Sequence, residues 1–240
     1  MRTCEVDGRR AGHTVVLLVA LLVAGLLPLA GCSNDDGAQD GPPDAVLAAA
    51  KAALDSTTGV ALFLSTEEFP SGVDGVRAAS GIATNAPAFE GELTVVLKGL
   101  DVDVPVIAVD GKVWAQLPFT ATFTELIPAD FGAPDPAQLM ASDSGLSTWL
   151  TEATGVERGD SVRQGDTVLS SYSGTLSGEV VDATIPMADE SADFPVTFRI
   201  DDSGRLRSVL VAGPFYDSKD EVEYTIRIDD YGTTKAIEAP

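Results

Sequence analysis

The feature that most constrains the fold is a regular alternation of apolar and polar residues in several short segments. It is clearest in residues 92–98 (ELTVVLK), 101–106 (DVDVPV), 196–201 (VTFRID) and 221–228 (EVEYTIRI). Successive side chains of a strand point to opposite faces of a sheet, so a period of two gives one apolar face and one polar face. Short strands of this kind are typical of an antiparallel sheet with one face on a core.

Turn signals link these strands directly. Asp110-Gly111 separates two apolar runs and favours a two-residue hairpin. Residues 201–204 (DDSG) connect two further strands in the same way. Strands joined so closely must run antiparallel, because a parallel connection needs a dozen or more residues.

Four segments instead favour helices. The first is residues 45–56 (AVLAAAKAALDS), which follow the start signal Pro43-Asp44. The others lie at 135–142, 145–154 and 177–186. We find neither an internal repeat nor a second linker, so the sequence predicts one α+β domain over residues 44–240.

The N-terminus has the pattern of a secretory signal peptide over residues 1–31. Three arginines precede an uncharged apolar run at 14–27 (TVVLLVALLVAGLL). That run is shorter than the ~20 residues that span a bilayer as a helix, although a permanent anchor helix remains an alternative. Arg9-Arg10 lacks the continuation of a twin-arginine signal, so we expect the general secretory route.

The segment Leu29-Ala30-Gly31-Cys32 resembles a bacterial lipobox, in which the cysteine is acylated and becomes the new N-terminus. We therefore expect Cys32 to carry the lipid that anchors the chain to the outer face of the cytoplasmic membrane. More than one acyl chain makes such anchoring stable. The residues that follow Cys32 are small, polar and acidic. Residues 32–43 are therefore predicted to form a flexible tether.

Composition excludes several kinds of function. The formal charge of −22 disfavours nucleic acid as a partner, because phosphate binding needs clustered Lys and Arg. Cleavage before Cys32 would remove Cys4 and His13, the only other cysteine and the only histidine. Catalytic triads that use histidine are then impossible, and so are zinc sites made of Cys or His. We expect no cofactor, no metal and no enzymatic activity; a carboxylate-dependent glycan hydrolase remains an alternative.

Two longer stretches resemble a known family. Residues 81–117, with Thr84-Asn85 and the Asp110-Gly111 hairpin, and residues 135–168, with Asp135-Pro136 and Gly145-Leu146, are similar to the LppX/LprA/LprF/LprG lipoproteins of the mycobacterial cell envelope. The similarity runs in order over residues 44–240. The loop at 185–195 departs from it, and its role stays open.

The resemblance implies a strongly bent antiparallel sheet, a half-barrel, with helices on its concave face around an apolar cavity. The implied ligand is a multi-acyl lipid or glycolipid, carried in envelope biogenesis, with a membrane lipid exporter as a further partner. Combined with the apolar strand faces, it predicts nine cavity residues: Leu93, Val95, Leu97, Val102, Val104, Val106, Leu146, Trp149 and Leu150. The alternative is a structural or adaptor lipoprotein whose interior is only core.

Overall fold

A computed structural model of the chain describes residues 41–131, 133–216 and 220–240. The expected signal peptide, Cys32 and most of the tether lie outside these residues. Within them, no helix has both the length and the apolar character needed to cross a membrane.

The described chain contains eleven strands and three α-helices. The helices are α1 (Pro43–Ser56), α2 (Trp149–Glu152) and α3 (Gly178–Thr184). The strands are β1 (Gly59–Ser65), β2 (Gly75–Thr84), β3 (Ala88–Leu97), β4 (Leu100–Val109), β5 (Lys112–Ala115), β6 (Thr124–Leu126), β7 (Thr154–Gln164), β8 (Thr167–Ser177), β9 (Asp193–Asp201), β10 (Leu206–Pro214) and β11 (Glu221–Asp229). Short 3₁₀ turns occur at Pro128–Phe131, Gln138–Met140 and Leu146–Thr148.

All eleven strands form one open antiparallel sheet in the order β6-β5-β4-β3-β2-β1-β11-β10-β9-β8-β7. It consists of two meanders, β1–β6 and β7–β11, and the pairing of β1 with β11 joins them. The edges, β6 and β7, are not paired with each other, so the sheet does not close into a barrel.

The sheet curves around its helices. Eleven strands at about 4.8 Å spacing would span roughly 50 Å if they were flat. Nevertheless, apolar side chains from β5 at one end to β8 at the other belong to one hydrophobic cluster that includes α1 and α2. Gly81 and Gly91 face each other on β2 and β3, where a Cβ on Gly91 would clash with the Ser80 backbone oxygen. Glycines at such a close approach allow a strand to bend.

The first helix is held against the sheet by one apolar stripe and one lysine. Val46, Leu47, Ala50 and Leu54 form the buried stripe of α1. At the margin of this stripe, the Lys51 Nζ donates hydrogen bonds to Asp55 Oδ2 (2.9 Å), to the Ser142 carbonyl oxygen (2.8 Å) and to Ser147 Oγ (3.0 Å). These bonds connect α1 to the segment that leads into α2.

The expected fold is confirmed, with differences in the middle of the chain. All four alternating segments are strands, and Asp110-Gly111 forms the β4–β5 turn with φ of 55° and 69°. The helix expected at 45–56 is α1, and the one expected at 177–186 is α3. By contrast, residues 135–142 contain only a 3₁₀ turn, and 145–154 contain a 3₁₀ turn followed by four residues of α-helix. Helices this short depend on tertiary packing, since isolated helices under ~12 residues are marginal.

The loop at 185–195 packs against the end of β10. Ala188 and Phe215 form an isolated antiparallel bridge. Backbone hydrogen bonds run from Asp189 N to the Pro214 oxygen (3.0 Å) and from Tyr216 N to the Met187 oxygen (2.7 Å). The loop that departs from the family pattern is therefore hydrogen-bonded to the end of β10.

A buried tyrosine supports the bulge in β2. The Tyr224 hydroxyl donates to the Val76 carbonyl oxygen (2.7 Å) and lies 2.6 Å from the Tyr216 hydroxyl. Val76 stands where the register between β2 and β3 shifts, so its carbonyl needs a partner other than the regular ladder. Burial raises the pKa of Tyr224 well above its ordinary value.

We expect Tyr224→Phe to lower the free energy of unfolding by about 1–3 kcal/mol at neutral pH, because a buried carbonyl loses its partner. The free energy of unfolding of the wild type should also fall above pH ~10. Tyr224 ionises in that range in the unfolded chain, whereas burial keeps it protonated in the folded chain. The variant should lose less over the same range. Urea unfolding between pH 7 and pH 11 measures both effects, and an equal alkaline loss in the two proteins would contradict the assignment.

Candidate functional site

An apolar pocket lies on the inner face of β3, β4 and β5. The register places Leu93 opposite Val104 on this face, and Val106 opposite Ala115. With two-residue periodicity, the alternate residues of each strand therefore point into the same space. The side chains that the three strands contribute are Leu93, Val95, Leu97, Val104, Val106, Val113 and Ala115.

The other side of the pocket is formed by the chain that follows β5. This segment, residues 117–136, contributes eight apolar residues: Leu117, Pro118, Leu126, Pro128, Phe131, Ala133, Pro134 and Pro136. Its only strand is β6, which pairs with β5 over three residues. Prolines lack a backbone N–H, so this wall presents fewer donors than ordinary chain would.

The chemistry of the pocket is uniform. All fifteen lining residues are aliphatic, proline or phenylalanine. The lining therefore offers no side chain for acid–base, nucleophilic or metal chemistry, and it suits a hydrocarbon ligand. Among the described residues, no cluster of three or more His, Cys, Asp or Glu side chains could hold a metal ion.

One carboxyl stands beside this apolar wall. Asp135 lies between the two lining prolines Pro134 and Pro136. Its Oδ1 accepts a hydrogen bond from the Ala137 N–H (2.9 Å). Burial raises the pKa of Asp135 above its usual value, against the opposing effect of that bond. The carboxyl stabilises a turn and is not one of the residues that line the pocket.

The pocket is narrow in this conformation. Its free volume is about 80 Å³, whereas pockets for drug-sized ligands measure roughly 300–1,000 Å³. A long acyl chain needs more room than this.

Five exposed apolar side chains either line the pocket or are adjacent to lining residues in the sequence or across the β3–β4 pairing. Phe119 is fully exposed and has a positive φ of 66°, an uncommon conformation for a bulky residue. Ile127 and Leu100 are 64% and 69% exposed, and Leu117 and Phe131 are both part of the lining and exposed. We call these five residues the apolar rim. Exposed apolar residues clustered in this way mark interaction surfaces more often than scattered ones do.

Five of the nine predicted cavity residues line this pocket: Leu93, Val95, Leu97, Val104 and Val106. Val102 lies opposite Val95 on the same face, but it packs against the core and is not part of the lining. The signal that could have revealed the outer wall is the run of prolines and apolar residues at 117–136, which does not alternate with a period of two.

The remaining three predicted cavity residues are not at the pocket. Leu146, Trp149 and Leu150 are fully buried in the core and do not line the pocket. The reason is that α2 packs between α1 and α3, away from the pocket over β3–β5. The Trp149 Nε1 donates to Thr184 Oγ1 (3.0 Å), which in turn donates to the Ser144 oxygen (3.1 Å).

Together, the open curved sheet, the helices on its inner face and the apolar pocket define a class of half-barrel proteins with a hydrophobic interior. The chain belongs to the LppX_LprAFG lipoprotein family, whose pattern it matches over residues 42–237. This confirms the resemblance seen in the sequence.

Two curated relatives carry the same name. The lipoarabinomannan carrier protein LprG of Mycobacterium tuberculosis (strain ATCC 25618 / H37Rv) is 27% identical over 210 residues, covering 82% of this chain and 83% of its own. LprG of Mycobacterium leprae (strain TN) is 30% identical over 199 residues, covering 78% of this chain and 79% of its own.

Solved structures share the fold. LprF from Mycobacterium bovis superposes with a TM-score of 0.68 at 16% identity, covering 82% of this chain and 96% of its own. The Mycobacterium tuberculosis lipoprotein LppX gives a TM-score of 0.59 at 14% identity, covering 82% of this chain and 100% of its own. At these identities the likeness concerns the fold alone.

We expect Trp149→Phe to lower the free energy of unfolding by about 1–3 kcal/mol, because Thr184 loses a buried hydrogen-bond donor. The amount of lipid retained by the purified chain should not change, since Trp149 does not line the pocket. Thermal unfolding and native mass spectrometry measure the two quantities. A loss of retained lipid without a loss of stability would instead place Trp149 in the binding site.

Proposed function

We propose that the chain is a membrane-anchored lipid carrier of the cell envelope. It buries the acyl chains of a multi-acyl lipid or glycolipid in the pocket over β3–β5 and performs no chemistry on them. The observation that carries the proposal is the lining, in which all fifteen residues are apolar. The name of the LprG relatives, lipoarabinomannan carrier protein, supports the same kind of role.

The energetics suit a carrier. Transfer of an acyl chain from water would release about 0.8 kcal/mol per CH₂, which for a whole lipid exceeds any real binding affinity. The relevant reference is the membrane, which is as apolar as the pocket. Transfer between the two can therefore be close to neutral, and a neutral exchange is what allows both loading and release.

Loading requires the pocket to widen, and its outer wall is the part that can move. Residues 117–131 are attached to the sheet mainly through β6, the shortest strand, at an edge. Few backbone hydrogen bonds and high exposure are the marks of a segment with low local stability. Separation of this segment from β3 and β4 would open the space between two apolar surfaces.

The apolar rim would place the pocket against the membrane during exchange. Phe119 and Ile127 expose their apolar side chains to water. Aromatic and aliphatic side chains gain by insertion into the boundary between headgroups and acyl chains. A lipid could then pass from bilayer to pocket with little exposure to water.

Attachment would come from Cys32, with residues 1–31 removed as a signal peptide and residues 32–43 as the tether. The protein would then reside on the outer face of the cytoplasmic membrane. There it could receive its cargo from a membrane lipid exporter.

We expect Cys32→Ser to abolish acylation and stable membrane attachment without unfolding the domain, because the thiol is the acyl acceptor and precedes α1 by eleven residues. Metabolic labelling with palmitate and membrane fractionation measure attachment, and thermal unfolding measures the fold. Cys4→Ser, in the expected signal peptide, is the matched control and should keep the label. Retention of label by Cys32→Ser would show that another residue is acylated.

We expect Val95→Trp to abolish lipid retention with little change in stability. Val95 lines the pocket and is half-buried, so an indole would occupy free space and block acyl chains. If the space were instead a close-packed core, overpacking would cost about 1–3 kcal/mol. For a domain of this size that corresponds to a fall of about 2–4 °C in Tm for each kcal/mol.

The matched control for this substitution is Val180→Trp, at another half-buried valine packed on the core but outside the pocket. Native mass spectrometry of the chains purified from membranes counts the retained lipid. Normal loading of Val95→Trp, with a lowered Tm, would show that lipid is not held at Val95. Absence of retained lipid from the wild type would favour the structural or adaptor lipoprotein over the carrier.

A further inference from the structure

A second concave surface lies on the outer face of the sheet, opposite the apolar pocket. It is an open groove of about 550 Å³ across β1, β11, β10, β9 and β8 to the end of β7. Most of the residues that line it are polar or charged: Phe63, Ser65, Gln164, Thr167, Leu169, Arg199, Arg207, Ser208, Thr225, Arg227 and Asp229. We call it the arginine groove.

The groove is basic in a strongly acidic protein. Three arginines, Arg199, Arg207 and Arg227, line it together with a single carboxylate, Asp229, although the whole chain has a formal charge of −22. A further carboxylate, Asp201, lies at its end on β9. That side chain is committed to the β9–β10 turn, where its Oδ1 accepts bonds from Ser203 and Arg205.

Register brings the arginines together. Ser208 on β10 is directly opposite Arg199 on β9 and directly opposite Arg227 on β11. The two arginines therefore stand on either side of one serine, two strand spacings or about 10 Å apart at the backbone. Both side chains therefore add positive charge to the same part of the outer face.

Two of the arginines are held in place. The Asp229 carboxylate contacts Arg207 Nη2 through one oxygen and Arg227 Nε (2.8 Å) through the other. The Arg227 guanidinium also lies over the Phe63 ring, 4.2 Å from its centroid. An arginine fixed by a carboxylate and an aromatic face loses less conformational entropy when it binds a ligand.

The third arginine has no partner within the part of the chain that the structure describes. The Arg199 Nε is buried without a hydrogen bond, and no carboxylate pairs with its guanidinium. The Arg77 Nε also lacks good hydrogen-bond geometry, but it has Asp101 Oδ1 at 3.1 Å. Arg199 as a whole is only half-buried and lines the groove, so an anionic ligand in the groove can reach its side chain.

The surface beside the arginine groove is acidic. Glu67, Glu68, Glu221 and Glu223 line a neighbouring depression that would repel anions. An anion approaching this face is therefore directed to the three arginines.

We propose that the arginine groove binds a phosphate group, with Arg199 as the residue that its oxygens engage and Arg207 and Arg227 as flanking cations. Guanidinium groups match phosphate oxygens in charge and geometry. The phosphate could come from a phosphodiester headgroup or from free inorganic phosphate. This site is separate from the lipid pocket and does not depend on the carrier function.

The test uses the purified full chain in a neutral detergent, with inorganic phosphate and glycerophosphoglycerol, a soluble phosphodiester, as the probes. Calorimetric titration at pH 7 and low salt measures both. Arg199→Gln should weaken binding about tenfold or more, because a charge-assisted contact is lost. Arg163→Gln is the matched control: it removes the same charge from the edge strand β7, on the opposite face by register, and should bind like the wild type.

The site is supported if either probe binds and Arg199→Gln weakens that binding. The order of affinity of the two probes identifies the source of the phosphate group. Stronger binding of the diester points to a headgroup, and stronger binding of inorganic phosphate points to the free ion. Binding of neither probe, or equal loss in Arg199→Gln and Arg163→Gln, would overturn the proposal. Normal lipid retention in Arg199→Gln is expected, since the pocket lies on the other face.

Discussion

The pairing of β1 with β11 is the interaction on which the rest of the structure depends. It joins two meanders that are far apart in sequence, with Leu62 opposite Ile228 and Leu64 opposite Ile226. All four side chains are buried in the common core. Without this pairing, the strands that form the pocket and those that pack on α3 would be two separate sheets, of six and five strands, with no common core.

The same alternation that builds the core also separates two potential binding surfaces. On the inner face, β3 to β5 contribute aliphatic side chains to a pocket that excludes charge. On the outer face, β9 to β11 place three arginines around one serine. Because neighbouring residues of a strand point in opposite directions, a lipid site and an anion site can be built on one sheet without interfering with each other.

Local patterns predicted a large part of this molecule. The alternation at 221–228 indicated β11, Asp110-Gly111 indicated the β4–β5 hairpin, and Pro43-Asp44 indicated the start of α1. Leu93 and Val104 were placed on one apolar face for the same reason. These features depend on a few neighbouring residues, whose backbone preferences and periodicity act before any tertiary contact forms.

The position of each apolar face within the fold was decided by tertiary structure alone. Trp149 lies on an apolar helix stripe, as a residue facing a pocket would. However, α2 packs between two other helices, and the Trp149 indole donates a hydrogen bond to Thr184. A buried apolar side chain has the same sequence signature whether it faces protein or a cavity. Arg199 and Arg227 become neighbours only through the register of three strands. The sequence by itself therefore determined the strands, the turns and the family, whereas long-range pairing decided which faces enclose space and which charges converge.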